Sequence, residues 1–214
     1  MSDTSLVCVI DDEPLVREVT CRILSDGGCQ AIGYSSAEDF LTAFDELACG
    51  CVVTDLRMPG MDGAELLARL RQSGSSVAIV VLTGHADVRT AVKLMEDGAL
   101  TLLEKPYEPA ELLATVTRAT KLTIARRATQ ERVAAVQRRL AQLTQEERLV
   151  MECMIAELPT KAIAAKLVLS TRTVERRMLA VLQKMQVNGV AELAAVIASL
   201  PPPHWPPIAP REPD

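Results

Sequence analysis

"VVTDLRMPGMDG", residues 52–63, carries a short β-branched apolar run directly into Asp55 and then into a loop holding Pro59, Gly60 and Gly63. The apolar run has the composition of a buried strand, and the Pro and Gly that follow end it. A carboxylate therefore stands where the chain leaves its core. Asp is a common turn residue and can cap a following helix, so a structural role and a chemical one both fit this position alone. The rest of the chain decides between them.

Four further apolar runs flank this one: "LVCVI" (6–10), "AIGY" (31–34), "VAIVVL" (77–82) and "LTLL" (100–103). Helical patterns lie between them near 14–26, 37–47, 64–72 and 87–97 and from 109 onward, several closed by Gly27, Gly74 and Gly98. Five strands alternating with five helices predict an α/β fold, a parallel sheet with helices on both faces. Ligands of such sheets sit beyond the carboxyl ends of the strands. Asp11, Asp12 and Glu13 follow the first strand, Asp55 the third, Thr83 the fourth and Lys105 the fifth. All are expected on one rim.

Crowded carboxylates repel and raise one another's pKa unless cations join them. Lys105 supplies one positive charge, and a hard divalent ion such as Mg²⁺, which takes oxygen ligands, is the natural second. A carboxylate in that setting is equipped to attack phosphorus. The ion would bridge carboxylate and phosphoryl oxygens, Lys105 would offset developing charge, and Thr83 would donate its hydroxyl to a phosphoryl oxygen while Asp55 becomes an acyl phosphate. Agreement at four strand ends favours this reading of Asp55 over a turn residue.

A chain of 214 residues has room for one or two domains, and 49% hydrophobic residues can build real cores although only 2% are aromatic. No apolar run is long enough to span a bilayer, and "MSDTSLVCVIDDE" lacks the basic start and extended apolar stretch of a signal peptide, so a cytoplasmic protein with no membrane partner is expected. Cysteines at 8, 21, 29, 49, 51 and 153 show neither CxxC pairing nor a His partner, which leaves them as ordinary thiols. The net charge of -5 conceals an asymmetry. Residues 1–120 hold 9 basic and 19 acidic side chains, 121–143 hold 6 and 1, and 144–214 hold 8 and 8. An acidic front, a basic connector and a neutral rear suggest two domains with different partners.

"VIDDE", "VVTDLRMPGMDG", "VLTGHADV" and "LEKPYEP" closely resemble the receiver domain of two-component response regulators, particularly the NarL/FixJ kind, over about residues 1–120. The resemblance implies a flavodoxin-like (βα)5 sheet with strand order 2-1-3-4-5. It also implies that Asp55 is the phosphoacceptor for a partner histidine kinase, and that Asp12, Asp55 and the backbone carbonyl of Arg57 bind Mg²⁺ with Asp11 assisting through water. By the same resemblance, a cis Lys105-Pro106 peptide would aim the lysine inward. Related domains carry an aromatic residue three positions before the lysine, where this chain has Leu102. His85 is read as a loop or helix-entry residue rather than a phosphotransfer group.

From Pro109 the chain reads as helix almost to Leu143. Val133, Val136, Leu140 and Leu143 follow a heptad-like spacing that could pair two chains or lie on the chain's own domains. Arg126, Arg127, Arg138 and Arg139 are expected on its wet face. Beyond it, "LTQEERLVMECMIAELPTKAIAAKLVLSTRTVERRMLAVLQKM" contains three helical stretches parted near Leu158-Pro159 and Val168-Leu169, with Ser170 or Thr171 capping the third, and "VAELAAVIASL" fits a fourth. Val174, Met178, Val181, Leu182 and Met185 form an apolar stripe on the third stretch.

"LTxxE" at 143–147, "KAIAAKLxLSTRTVE" at 161–175 and "KM" at 184–185 resemble the LuxR-type helix-turn-helix. The resemblance implies an all-α DNA-binding domain whose third helix enters the major groove. Its DNA-facing set would be Thr171, Arg172, Thr173, Glu175, Arg176, Arg177, Leu179, Gln183 and Lys184. Arg176 stands opposite the apolar stripe and suits a guanine, whereas Arg177 and Lys184 on the flanks suit phosphate. Glu157 and Val168 stand where that family usually has Gly, and Arg177 where it usually has His.

The domains expected are a receiver at 1–120, a helical linker at 121–142, the helix-turn-helix at 143–200 and a Pro-rich, disordered tail at 201–214. The whole reads as a transcriptional regulator rather than an enzyme, a homodimer when phosphorylated, acting on DNA and the transcription machinery. A protein-docking output domain is the alternative. An aspartate-dependent Mg²⁺ phosphatase would use similar groups, but "DLR" lacks the second acid two residues on.

Overall fold

A computed structural model describes residues 6–84 and 88–201. The readings of His85 and of the tail beyond Pro201 lie outside the described residues. By contacts the chain divides into two compact units, 1–128 and 129–214.

The first unit is a five-stranded, wholly parallel sheet of order β2-β1-β3-β4-β5, the flavodoxin-like arrangement expected. Its strands are β1 Leu6–Ile10, β2 Gln30–Tyr34, β3 Cys49–Asp55, β4 Ala78–Thr83 and β5 Thr101–Glu104. Between and after them run α1 Pro14–Asp26, α2 Ala37–Ala43, α3 Gly63–Gln72, α4 Val88–Glu96 and α5 Pro109–Ala141. β3 and β4 are buried along their whole length, the pattern of strands covered on both faces. Phe40, Leu66, Leu67, Leu70 and Leu94 from α2, α3 and α4 cover one face. Leu24, Leu112, Val116 and Ala119 from α1 and α5 cover the other. The parallel registers set Ile10 beside Thr54, Asp55 beside Leu82 and Thr83 beside Glu104, so the carboxyl ends of four strands meet along one edge.

Two features depart from the pattern in the sequence. α2 stops at Ala43 instead of continuing to 47, because Phe44 turns to an extended backbone and stacks its ring 5.0 Å from Phe40. Past that turn the Glu46 carboxylate accepts hydrogen bonds from the Ser75 hydroxyl and from the Ser76 amide and hydroxyl. Second, α5 stays with the first unit beyond residue 120. The buried Thr123 hydroxyl oxygen accepts the Ala78 amide at 2.8 Å, and the Arg127 guanidinium donates to the carbonyls of Glu46, Leu47 and Cys49. Arg127 is thus a clasp on the turn into β3 rather than a wet-face residue.

The second unit contains the end of α5 with α6 Gln145–Ile155, α7 Thr160–Leu167, α8 Thr171–Met185 and α9 Val190–Ala198. Val136, Leu140 and Leu143 are buried in a core with Met151, Met154, Ile163, Val174, Val181, Met185 and Leu193. The heptad-like stripe is consumed inside its own domain. Thr144 and Glu147 close a capping box at the start of α6, and Ser170 caps α8 by accepting the Thr173 amide. Glu157 and Val168 adopt left-handed backbones with φ of 54° each, which is the conformation glycine favours. No helix among the described residues is long and apolar enough to cross a membrane.

Candidate functional site

The carboxylate of Asp55 projects from the end of β3, where the strand gives way to a tight loop. Gly63 makes this turn possible: a Cβ there would lie 2.3 Å from the Asp55 carbonyl oxygen, while the Gly63 amide donates to the Leu56 carbonyl at 3.0 Å. The Arg57 amide donates to Asp55 Oδ2 at 2.8 Å and fixes the carboxylate's rotation. Farther along the loop, Glu38 of α2 accepts the Met61 amide at 3.0 Å, and the Asp62 side chain caps α3.

Lys105 reaches this carboxylate from the end of β5, just before the cis Lys105–Pro106 peptide. Its Nζ donates to Asp55 Oδ1 and, at 2.8 Å, to Asp11 Oδ2. Burial alone would push the ammonium toward its neutral form; the hydrogen bonds it donates to Asp11 and Asp55, with the charge of those carboxylates, outweigh burial and raise the Lys105 pKa. Asp11 is itself buried, and its other oxygen accepts the Glu13 amide at 3.0 Å. Thr83 is buried at the end of β4, adjoining β3. Asp11, Asp55 and Lys105 are therefore directly bonded, with Asp12, half exposed, at the next position along the rim.

The donor set fits a hard dication. The Asp11, Asp12 and Asp55 carboxylates stand against one bonded ammonium, which leaves excess negative charge and oxygen donors. Among the described residues no three Asp, Glu, His or Cys side chains are grouped so as to hold a metal ion by themselves. Mg²⁺ needs none, because it binds through one or two carboxylates and keeps several waters.

Three supports escape a reading of the sequence. Arg17 of α1 donates to the Asp11 backbone carbonyl at 2.6 Å. The Tyr107 hydroxyl, two residues past Lys105, lies 2.6 Å from the buried Thr20 hydroxyl of α1. Glu38 latches the loop. Each is an ordinary polar residue on a helix or loop, and only the tertiary contact gives it meaning.

A second surface lies on α8. Val174, Val181 and Met185 are buried, whereas Thr171, Arg172, Glu175, Arg176, Leu179 and Gln183 are exposed and Thr173 is half buried. Arg177 and Lys184 are turned toward α6. Arg177 pairs with Glu146 at 2.5 Å, and Lys184 donates to both oxygens of Glu147 at 2.9 and 2.6 Å and to the Gln142 carbonyl. Burial would raise the Glu147 carboxyl, but Lys184 and the Thr144 cap outweigh it and hold it below the usual range. Both cations placed on the phosphate-binding flanks by sequence are thus tied within the domain. Arg139, expected in water, donates to the Met185 carbonyl at the end of α8.

Residues 7–117 match the family described as response regulator receiver domain, and residues 141–197 match bacterial regulatory proteins, luxR family. The transcriptional regulatory protein FixJ of Azorhizobium caulinodans is 40% identical over 208 residues, which span 94% of this chain and 97% of that protein. FixJ of Bradyrhizobium diazoefficiens is 38% identical over 193 residues, 90% of this chain and 94% of that one. Among solved structures, response regulator StyR superposes with a TM-score of 0.80 at 31% identity, covering 91% of this chain and 98% of its own. Full-length FixJ from B. japonicum gives 0.56 at 37% identity, covering 91% and 96%.

Proposed function

The chain belongs to the NarL/FixJ family of response regulators, a receiver joined to a LuxR-type DNA-binding domain, and from that premise we propose that phosphorylation of Asp55 by a partner histidine kinase controls dimerisation and DNA binding. The observation that carries this reading is the Lys105 ammonium held between Asp11 and Asp55.

In the transfer, an Asp55 carboxylate oxygen attacks the phosphorus of a phosphohistidine. The P–N bond breaks, its electron pair returns to the imidazole, and Asp55 becomes an acyl phosphate. The Arg57 amide holds one oxygen of the carboxylate in place. Once Asp55 is esterified, the Lys105 ammonium loses a carboxylate partner and can pair with a phosphoryl oxygen, and the Thr83 hydroxyl donates to another. Asp12, Asp55 and the Arg57 carbonyl would hold Mg²⁺ directly, with Asp11 assisting through water. When bound, the ion screens the repulsion between the carboxylate and the phosphoryl group.

Drawing Lys105 and Thr83 toward phosphate alters the ends of β5 and β4 and the adjoining α4. α4 carries Val88, 80% exposed, with Val92 and Met95 also exposed, an apolar face suited to a second copy of the chain. In β5, Leu102 packs partly buried against the core where relatives have an aromatic ring. On α8, Thr171, Arg172, Thr173, Glu175, Arg176, Leu179 and Gln183 face DNA, with Arg176 as the guanine contact. Arg177 and Lys184 reach phosphate only by giving up Glu146 and Glu147. Acting on promoters brings the dimer to the transcription machinery in the cytoplasm, and the chain works as a regulator rather than an enzyme.

Incubation with Mg²⁺ and acetyl phosphate, followed by peptide mass analysis, tests the phosphoacceptor. Label is expected on the peptide containing Asp55, dependent on the divalent ion. Undiminished label in Asp55→Asn would refute the assignment.

A further inference from the structure

Leu179 is 61% exposed in the middle of α8, although the helix turns its other large apolar residues wholly or partly inward. Residues 172, 176, 179 and 183 fall on one face by helical spacing, opposite the buried Val174, Val181 and Met185. The leucine therefore stands among Arg172, Arg176 and Gln183, all exposed. A lone apolar residue on an ordinary surface needs no explanation. This one sits inside a patch whose other members carry positive charge and bidentate hydrogen-bonding groups, the chemistry that complements base edges and phosphate.

In the major groove the edges of the base pairs offer hydrogen-bond donors and acceptors and one prominent apolar group, the C5 methyl of thymine. An apolar side chain projecting from the centre of a groove-bound helix finds its complement there and nowhere else on the edges. We infer that Leu179 is a specificity-determining residue that reads thymine by packing on its methyl group. Gln183, about one turn on, has the amide geometry that pairs with adenine N6 and N7, so the two side chains together select an A·T-containing step beside the position read by Arg176. This inference rests on the DNA-binding reading above.

The test begins with full-length protein treated with Mg²⁺ and acetyl phosphate and used to enrich duplexes from a random-sequence pool. In an enriched duplex each thymine is then replaced in turn by deoxyuracil, which lacks only the methyl. Wild type is expected to lose about fourfold in affinity at one thymine in each half-site, the value of one buried methyl-sized group. Leu179→Ala should bind thymine and uracil duplexes equally there while retaining its preferences at other positions. Leu179→Met, which keeps an apolar side chain, should restore part of the discrimination.

An enriched duplex insensitive to uracil at every thymine overturns the inference alone and assigns Leu179 to a protein surface. So does a uracil penalty that persists undiminished in Leu179→Ala. If no duplex is enriched, the DNA-binding reading falls and this inference with it.

Discussion

Replacing Val168 by Gly should stabilise the second unit. Val168 ends α7 with φ 54° and ψ 50°, its amide directed at the Ala164 and Ala165 carbonyls, and its side chain is 90% exposed. A left-handed backbone costs an L-residue about 1–2 kcal/mol, and β-branching puts Val at the upper end. Glycine removes that cost but enters with about 0.5–1 kcal/mol more chain entropy in the unfolded state. Because the side chain is in water, almost no packing is lost. The difference is a net gain of about 1–1.5 kcal/mol, or roughly 4–12 °C in Tm for a domain of this size. Calorimetry of the full chain reads it in the transition of the DNA-binding unit, with Val168→Ala as control. Alanine keeps the Cβ that makes the left-handed region costly and should gain less than half as much. A Val168→Gly transition at or below that of Val168→Ala would refute the reasoning.

Gly63→Ala would force a Cβ against the Asp55 carbonyl oxygen, and a displacement near 1 Å should slow labelling by acetyl phosphate by about 100-fold with the fold retained by circular dichroism. Lys184→Met strands the Glu147 carboxylate and should destabilise the second unit by about 1–3 kcal/mol in urea titrations. In the wild type Glu147 is held below the usual carboxylate pKa, so its contribution is complete above the unfolded value and is lost as pH falls through the folded one; acid titration of stability should be shallower in Lys184→Met. Arg176→Ala should cost roughly 1–3 kcal/mol on a preferred duplex and relax selectivity at one base pair, measured by titration against base-substituted duplexes; a uniform loss across sequences would make Arg176 a backbone contact.

The parallel sheet and the meeting of Asp55, Asp11 and Lys105 at its rim were legible because parallel strands are written as continuous apolar runs and the rim residues follow them directly, whereas the strand order came from the resemblance of those motifs to receiver domains. Glu157 and Val168 stood out only as departures from the glycines usual in that family, and the left-handed backbone each adopts gives the reason. What escaped was set by contacts distant in sequence. The local pattern near Ala43 does not say that α2 must stop, because the stop depends on Phe44 packing on Phe40 and, past that turn, on Ser75 and Ser76 holding Glu46. An arginine such as Arg127 on a Gly-free helix looks like a solvated charge until the carbonyls it grips, in the turn into β3 and at its first residue, are known. Arg177 and Lys184 fit the DNA-facing flank by helical angle alone, yet the acidic residues that claim them lie on α6, some thirty to forty residues away. Periodicity assigns a face to a side chain but does not name the neighbour.

The switch itself is tested most directly by DNA binding before and after phosphorylation. Wild type and Asp55→Asn are titrated against a preferred duplex, each with and without Mg²⁺ and acetyl phosphate, at a fixed salt concentration. Wild type should tighten on treatment and Asp55→Asn should not respond. Equal tightening in both proteins, or none in a wild type shown by mass to be labelled at Asp55, would contradict phosphate on Asp55 as the control of the DNA-binding domain.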